Sequence, residues 1–296
     1  MKRRLFGILF CLGLGAAPAL ATTPPLPLIR WQILDFPPYH IVSGPNRGEG
    51  LRDQFLQTLI AELPGFRHEI EVSGAERQTA LMRAAQPVCT LSMLRTPERE
   101  SFMHFAQQPI QLQLPVVLIV PRAVAQDNAL PVERNGLVSL GGTLALGKLH
   151  LGVVPKRSFG PSIDEVIAAA RRQHPDSVLE FAEQGVVAGL LKLMQRGRFE
   201  LALGYSLEVE QLRRNDPSIG ELRYFPLTEA PALVPAQIGC SRHPDALRAL
   251  RAIDAAQPRL ADARRRLQDA YAALLPESER TRYRTLLTAL GDNPAP

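Results

Sequence analysis

The sequence has few of the residues that build metal centres or covalent catalytic sites. Its 296 residues include 3 cysteines and 6 histidines, and aromatic residues make up 6%. The histidines show no ligand spacing, and no Cys-x-x-C pair, phosphate loop or paired-histidine helix occurs. Gly204-Tyr205-Ser206 starts like the nucleophile elbow of a hydrolase, but Glu208 replaces its second glycine. We therefore predict no metal, no cofactor and no enzymatic activity, and leave open an exported hydrolase whose triad comes from distant residues.

The N-terminal apolar run is too short for a comfortable membrane span, since it covers only residues 5–16. Lys2, Arg3 and Arg4 precede it, and the small-residue sequence Ala19-Leu20-Ala21 follows it. This order predicts a secretory signal peptide over residues 1–21, cleaved near Ala21, and export across the inner membrane into the periplasm. An uncleaved anchor is the alternative interpretation.

Cleavage there would change the charge and the cysteine count of the mature chain. The formal charge of +5 falls to +2, because the removed segment carries three cationic residues and no anionic ones. So small an excess of positive charge does not favour binding to nucleic acid. Cys89 and Cys240 remain, in a compartment where disulfides form.

Strand-like and helix-like patterns alternate along the mature chain. Residues 29–34 predict a strand, residues 56–63 repeat apolar side chains at helical spacing, and a β-α-β-α-β order continues to residue 94. Residues 112–120 predict an extended crossover, and a second α/β run begins at residue 149. Parallel sheets with helical connections are expected from this alternation, in two lobes rather than one sheet.

A polar turn follows the apolar strand that begins near Cys89. It contains Thr96-Pro97-Glu98-Arg99, with Phe105 and Pro109 further on. A guanidinium at a strand end is a ready receptor for a carboxylate, because its donors form a fixed fork. This pattern resembles that of periplasmic solute-binding proteins of the polar-amino-acid type (family 3).

Further pieces occur in the order found in that family, and the resemblance covers nearly all of the mature chain. They are Asp35-Phe36-Pro37-Pro38-Tyr39, Gly50 with Asp53, residues 156–160, and Gly197-Arg198-Phe199-Glu200. Within the superfamily the chain looks most like a poorly characterised branch with two cysteines at these positions.

The resemblance implies an α/β, two-lobed, periplasmic-binding-protein-like (type II) fold with a ligand cleft between the lobes. Residues 28–111 and 229–296 would form lobe 1 with C-terminal helices, residues 112–228 would form lobe 2, and two crossovers would join them. The strand after the second crossover would run beside the strand of Cys89. A disulfide between Cys89 and Cys240 is therefore expected, with two buried free thiols as the alternative.

The resemblance also implies a set of ligand-binding residues, each with a structural alternative. An aromatic residue could be core, Thr96 could cap a turn, and Arg99 could be a solvated surface residue. The segment before Pro161 could bind an anion on free amides, or be a capped helix start with Ser162 and Glu165 as its capping box. The implied set is Phe36, Tyr39, Ser92, Thr96, Arg99, Ser158, Phe159, Gly160 and Tyr205.

Two departures from the family pattern bear on the ligand. The family serine two residues before Thr96 is Leu94 here, and the aspartate that holds an α-ammonium group falls at Tyr205. Without that carboxylate, a free amino acid would bury an unpaired cation. We therefore expect a carboxylate, an aromatic acid or a small peptide-like compound as ligand.

Two hypotheses about function follow. The first is a monomeric periplasmic protein that captures a small molecule by hinge closure. Its partner would be an inner-membrane permease or a membrane sensor. The second is a regulatory or enzyme-associated module that kept the fold and lost transport.

Overall fold

The computed structural model describes residues 25–91, 93–126, 130–155, 157–181 and 186–291. The predicted signal peptide lies outside these ranges, and so do Ser92 and Lys156. None of the helices within them combines the length and the apolar character needed to cross a bilayer.

Strands and helices alternate along most of this part of the chain. The strands are β1 (Leu28–Ile33), β2 (Arg67–Val72), β3 (Val88–Thr90), β4 (Met103–Phe105), β5 (Gln111–Gln113), β6 (Val117–Pro121), β7 (Leu151–Val153), β8 (Val178–Glu180), β9 (Leu201–Gly204), β10 (Leu222–Phe225), β11 (Val234–Ala236) and β12 (Gly239–Ser241). The helices are α1 (Leu51–Ala61), α2 (Ala75–Arg83), α3 (Pro97–Glu100), α4 (Arg122–Gln126), α5 (Leu140–Ala145), α6 (Pro161–Gln173), α7 (Val186–Gln195), α8 (Ser206–Asn215), α9 (Pro244–Ala256), α10 (Ala261–Leu274) and α11 (Glu277–Gly291).

The first lobe is built on a mixed sheet with the strand order β2-β1-β3-β12-β4. β1 pairs in parallel with β2 and β3, whereas β12 runs antiparallel to β3 and β4. Alternation along β1 places Ile29, Trp31 and Ile33 in one core with side chains of α1, α9 and α10. Burial of this face therefore fixes the register of β1.

A disulfide joins Cys89 on β3 to Cys240 on β12, which confirms the predicted pairing. The two residues lie directly opposite each other on antiparallel strands, with their Cα atoms 4.1 Å apart. Both side chains are fully buried. The bond links positions 151 residues apart, and every strand of the second sheet lies between them.

The second lobe is built on a sheet with the order β10-β6-β9-β7-β8. β7 is parallel to β8 and β9, whereas β6 is antiparallel to β9 and β10. Apolar side chains cover both faces of this sheet, so its strands are apolar runs rather than alternating patterns.

A short antiparallel pair, β5 with β11, connects the lobes. The C-terminal helices hold this hinge pair in place. The hydroxyl of Tyr283 on α11 donates to the carbonyl of Leu112 on β5 at 2.5 Å. The buried carboxylate of Glu279, also on α11, accepts a hydrogen bond from Ser206 at the start of α8. Helix α11 therefore touches both the hinge pair and the second lobe.

The main difference from the sequence expectation lies between the lobes. Residues 112–120, predicted as one extended crossover, form two strands that belong to different sheets. Pro115 lies in the gap between β5 and β6 and cannot donate to a strand ladder, so the pairing changes there. The strand that was predicted to reach residue 94 ends at Thr90.

Candidate functional site

The loops that the resemblance singled out lie after parallel strands of the two sheets. The turn with Phe36 and Tyr39 follows β1, the turn with Arg99 follows β3, residues 157–160 follow β7, and Tyr205 follows β9. In open α/β sheets, ligands bind at this carboxyl edge. Because β1 and β3 belong to the first lobe and β7 and β9 to the second, the candidate site draws on both.

The turn that carries the first two aromatic residues is held against the start of α1. The amides of Tyr39 and His40 donate to the carbonyl of Phe36, at 2.8 and 3.0 Å. The amide of Arg52 on α1 donates to the carbonyl of Tyr39 at 2.8 Å. A Cβ atom at Gly50 would lie 2.5 Å from that carbonyl, so glycine is needed where the helix approaches the turn.

A buried pair, His40 with Asp53, also links this turn to the start of α1. Their side chains are 2.6 Å apart (Nδ1 to Oδ1), and the second carboxylate oxygen accepts the amides of Ile41 and Gly50 at 2.9 and 3.1 Å. Burial lowers the pKa of His40, and its bond to Asp53 opposes this. Burial acts to raise the pKa of Asp53, but these hydrogen bonds hold it below its usual range.

Three aromatic rings meet between the lobes. Phe36 stacks on Tyr39 with ring centroids 4.9 Å apart, and Tyr205 approaches both rings edge-on, at 6.2 and 6.3 Å. Burial raises the pKa of both tyrosines, so their hydroxyls are neutral at physiological pH. A ligand that enters between these rings must separate Tyr205 from the other two.

Arg52 is a buried cation beside this aromatic cluster, and its side chain is only 3% exposed. Its Nη2 donates to the Gln113 side chain on β5 at 2.7 Å, and its guanidinium lies 4.5 Å from the ring centroid of Tyr39. Its Nε is buried without a hydrogen-bond partner. Burial lowers its pKa, and the groups that oppose this are tyrosines rather than carboxylates.

Arg99 is half-buried at the end of the turn after β3. Its Nη1 donates to the carbonyl of Leu94 at 2.8 Å. Burial lowers its pKa, opposed by the nearby charges of Glu98 and Asp164. The hydroxyl of Thr96 accepts the amide of Arg99 at 3.3 Å and so caps α3, which is the structural role left open for it.

The second lobe contributes an ion pair between Arg157 and Glu208, 3.3 Å apart. Glu208 lies in the first turn of α8 and is buried. Burial raises the pKa of its carboxyl group, and the neighbouring guanidinium opposes this. Arg157 also lies 5.5 Å from the ring centroid of Phe159.

The segment before α6 is engaged internally, and the predicted capping box is wrong. Helix α6 begins at Pro161 after Gly160, and Ser162 is not its cap. Instead, the Asp164 carboxylate accepts the hydroxyl of Ser158 at 2.5 Å and the amide of Phe159 at 2.8 Å. The Phe159 amide, which was expected to be free for an anion, therefore already binds the chain's own carboxylate.

The predicted set thus separates into two groups. The rings of Phe36, Tyr39 and Tyr205 lie together. The positive charge of Arg99 is close enough to Tyr205 to act against the rise in its pKa. The remaining described members cap or pack: these are Thr96, Ser158, Phe159 and Gly160. Ser92 lies outside the described residues.

Three charged residues of the site were missed by sequence reasoning. No local sequence pattern marks Arg52 as a site residue, because its partner Gln113 on β5 lies 61 positions further along the chain. Arg157 lies within the family-like segment 156–160, but no role was assigned to it there. Glu208 was weighed only as the residue that breaks a hydrolase motif. Within the described ranges, no group of three or more His, Cys, Asp and Glu residues could hold a metal ion.

Comparisons with known proteins rest on structure alone. No family model matches the sequence, and no curated protein does so either. An ancestral arginine-binding protein bound to arginine matches with a TM-score of 0.61 at 14% identity, over 83% of this chain and 98% of that one. An amino-acid ABC transporter substrate-binding protein from Streptococcus pneumoniae, bound to L-arginine, matches with a TM-score of 0.58 at 17% identity, over 85% and 97%.

A sensor protein is similar to the same degree. A histidine kinase sensor domain with similarity to periplasmic binding proteins matches with a TM-score of 0.59 at 13% identity, over 84% of this chain and 94% of that one. At sequence identities this low, the structural similarity establishes the fold and not the ligand. The predicted fold class is confirmed: the chain has the two-lobed α/β fold of periplasmic-binding proteins.

Proposed function

We propose that this protein is an exported solute-binding protein that captures a small carboxylate-bearing molecule between its lobes. The observation that carries the proposal is the charge of the site. Arg52, Arg99 and Arg157 contribute three guanidinium groups, and among the residues that the structure describes only Arg157 has a carboxylate partner within ion-pair distance. Asp164 is within electrostatic range of Arg99, but its oxygens already accept two hydrogen bonds.

The aromatic cluster supports a planar or apolar body on the ligand. The rings of Phe36 and Tyr205 meet edge-on across the lobes, with centroids 6.2 Å apart, and the hydroxyls of Tyr39 and Tyr205 are neutral. A neutral Tyr205 offers no carboxylate to an α-ammonium group. This favours acids without a free ammonium group over standard amino acids.

Delivery after capture would be to an importer or to a membrane sensor. The structural neighbours include both an ABC transporter substrate-binding protein and a kinase sensor domain. Both uses share the same first step, which is closure of two lobes over a bound solute.

A thermal-shift screen with matched ligand pairs tests the proposal. Each small acid, such as benzoate or phenylacetate, is compared with its neutral primary amide and with an amino acid of similar size. A ligand present at 100 times its Kd stabilises the folded state by about 2.7 kcal/mol, which corresponds to a rise in Tm of roughly 5–10 °C. Acids should shift Tm, and their amides should not. Stabilisation by the amides or the amino acids, with none by the acids, would refute the carboxylate assignment.

A further inference from the structure

Glu208 is a carboxylate of the second lobe that lies beside the aromatic cluster of the cleft. It belongs to the first turn of α8 and is 6% exposed. Its charge acts on the hydroxyl of Tyr205 and also on that of Tyr39, which belongs to the first lobe. Glu208 is therefore close to the place where we propose that the ligand binds.

Two groups hold the Glu208 carboxylate in the folded chain. The amide of Tyr205 donates to it, which is a common role for a glutamate in the first turn of a helix. Arg157, in the loop after β7, donates from Nη2 to Oε2 at 3.3 Å. Capping of α8 needs only the first of these contacts, so the pair with Arg157 requires a separate explanation.

Arg157 is the member of this pair that a ligand can reach. Its side chain is 18% exposed, against 8% for that of Glu208. Among the charged groups of the cleft, Arg157 acts most strongly on the Tyr205 hydroxyl. Its 3.3 Å contact with Glu208 is longer than the roughly 2.7–2.9 Å of a strong charge-assisted hydrogen bond. The chain's own carboxylate thus occupies, at a longer distance, a position that suits the carboxylate of a ligand.

We propose that Glu208 is an internal competitor of the ligand: the ligand carboxylate replaces it on Arg157, and the displaced Glu208 takes up a proton from solvent. This inference rests on the proposed function and adds its regulation by pH. A displaced, ionised Glu208 would be a buried anion without a cation, which is costly. Its protonated form is neutral and can stay beside the amide of Tyr205. One negative charge arrives with the ligand, and the proton removes another.

The other titratable groups around this carboxylate keep their charge near neutral pH. Tyr39 and Tyr205 are neutral, because burial raises their pKa values. Arg52 and Arg99, which act on the same Tyr205 hydroxyl, stay cationic, because a guanidinium group does not lose its proton in proteins. Proton uptake on binding is therefore expected at the carboxylate itself.

Affinity should rise as the pH falls. Burial raises the pKa of Glu208 above its usual 4.5, and Arg157 opposes that rise. Once the ligand neutralises Arg157, this opposition is lost, so the pKa of Glu208 is higher in the complex than in the free protein. Between these two pKa values, Kd should increase with pH, by up to about tenfold for each pH unit.

Calorimetric titration of the full mature chain with benzoate and with phenylacetate tests the exchange. Glu208→Gln removes the competing charge, so its Kd should fall about threefold or more near neutral pH, and the pH dependence should disappear. Arg157→Gln should raise Kd about tenfold or more. The control is Glu221→Gln, which changes an exposed carboxylate of the second lobe that pairs with Arg122 and should bind like the wild type.

Proton uptake can also be counted without any variant. Titrations in two buffers with different ionisation enthalpies give the number of protons that enter the protein with each ligand. This number should lie between zero and one for the wild type, rise as the pH falls from about 8 to about 6, and be zero for Glu208→Gln. An ion pair with a purely structural role would take up no proton.

Two results would overturn the inference and leave the proposed function standing. One is binding of an acid by the wild type without proton uptake, which decides the matter even where Glu208→Gln does not fold. The other is a Kd that stays the same or rises in Glu208→Gln while its Tm equals that of the wild type. Failure of both acids to bind the wild type would count against the proposed function itself, and this inference would fall with it.

Discussion

The ring of Tyr205 meets the ring of Tyr39 edge-on, with centroids 6.3 Å apart. Tyr39 belongs to the turn after the first strand of the first lobe, and Tyr205 immediately precedes α8 in the second. The contact therefore joins the lobes at the place where we propose that a ligand binds. Because Arg52 lies over the Tyr39 ring, a buried cation is coupled to the same contact.

Closure of the two lobes over a ligand predicts a change in overall dimensions on binding. Opening about the hinge pair should occur on the microsecond-to-millisecond timescale, and bound ligand should shift the population to the closed form. Small-angle scattering should show contraction at saturating ligand. Arg99→Ala at the same ligand concentration is the control and should stay as extended as the unliganded protein. Identical scattering curves for free and saturated wild type would contradict a clamshell motion.

Replacement of Arg99 should weaken ligand binding and leave the fold intact. A charge-assisted hydrogen bond contributes roughly 1.5–3 kcal/mol, so Arg99→Ala should raise Kd by about 10- to 150-fold. Arg99→Lys should recover little, because an ammonium group cannot reproduce the fork. The matched control is Arg95→Ala, since Arg95 is exposed in the same turn and pairs with Glu100. Unchanged affinity in Arg99→Ala would remove this residue from the site.

Replacement of Tyr205 by aspartate should change the class of ligand. The new carboxylate could pair with an α-ammonium group, so Tyr205→Asp should gain affinity for amino acids and lose affinity for simple acids. Tyr205→Asn has nearly the same shape without the charge and should gain nothing. The comparison is made by calorimetry with one acid and the corresponding amino acid. Equal gains in both variants would show that ring removal, and not charge, is responsible.

Reduction of the disulfide should destabilise the protein strongly. The bond links residues 151 apart, and for that loop the chain-entropy relation gives a stabilisation of about 5 kcal/mol. Urea unfolding with and without reductant should reveal a loss of this order. Alkylation and mass spectrometry on periplasmic protein supply the chemical check. Two alkylated cysteines in the absence of reductant would show that Cys89 and Cys240 are not bonded there.

Acidification should lower the stability that the fold gains from the buried His40–Asp53 pair. The pKa of His40 is lowered from its usual 6.5, and that of Asp53 from 3.8, so the unfolded chain takes up these protons more readily. Stability from His40 is therefore present above pH 6.5 and should fall by up to about 1.4 kcal/mol for each pH unit below it. Glu208 and Glu279, whose pKa values burial raises, change in the opposite direction.

A His40 variant isolates that contribution. In His40→Gln, the loss of stability between pH 7.5 and pH 5.5, measured by urea unfolding, should be smaller than in the wild type. His104→Gln, which changes an exposed histidine on β4, is the matched control for loss of a histidine. An unaltered slope in His40→Gln would show that this histidine does not titrate with folding.

Elements with a clear apolar period were predictable, because their pattern depends on one buried face. Residues 29–34 were predicted as a strand and Leu28–Ile33 form one, and the helix predicted after Pro161 is α6. Gly197 follows α7 with a φ of 69°, a left-handed conformation that favours glycine after a helix. The crossover over residues 112–120 was not predictable in detail, because the partners of β5 and β6 come from residues more than 80 positions away.

By itself, the sequence determined the order of the α/β units, the absence of a catalytic motif and, through the family resemblance, the pairing of the two cysteines. The ligand-binding role of the turn with Arg99 stays a prediction. The tertiary structure alone decided which charges are compensated. Arg52 meets Gln113 instead of a carboxylate, and Asp164 takes the amide that an anion was expected to bind. A local pattern sets which face of an element a side chain occupies, but its partner depends on which distant segment the fold brings against that face.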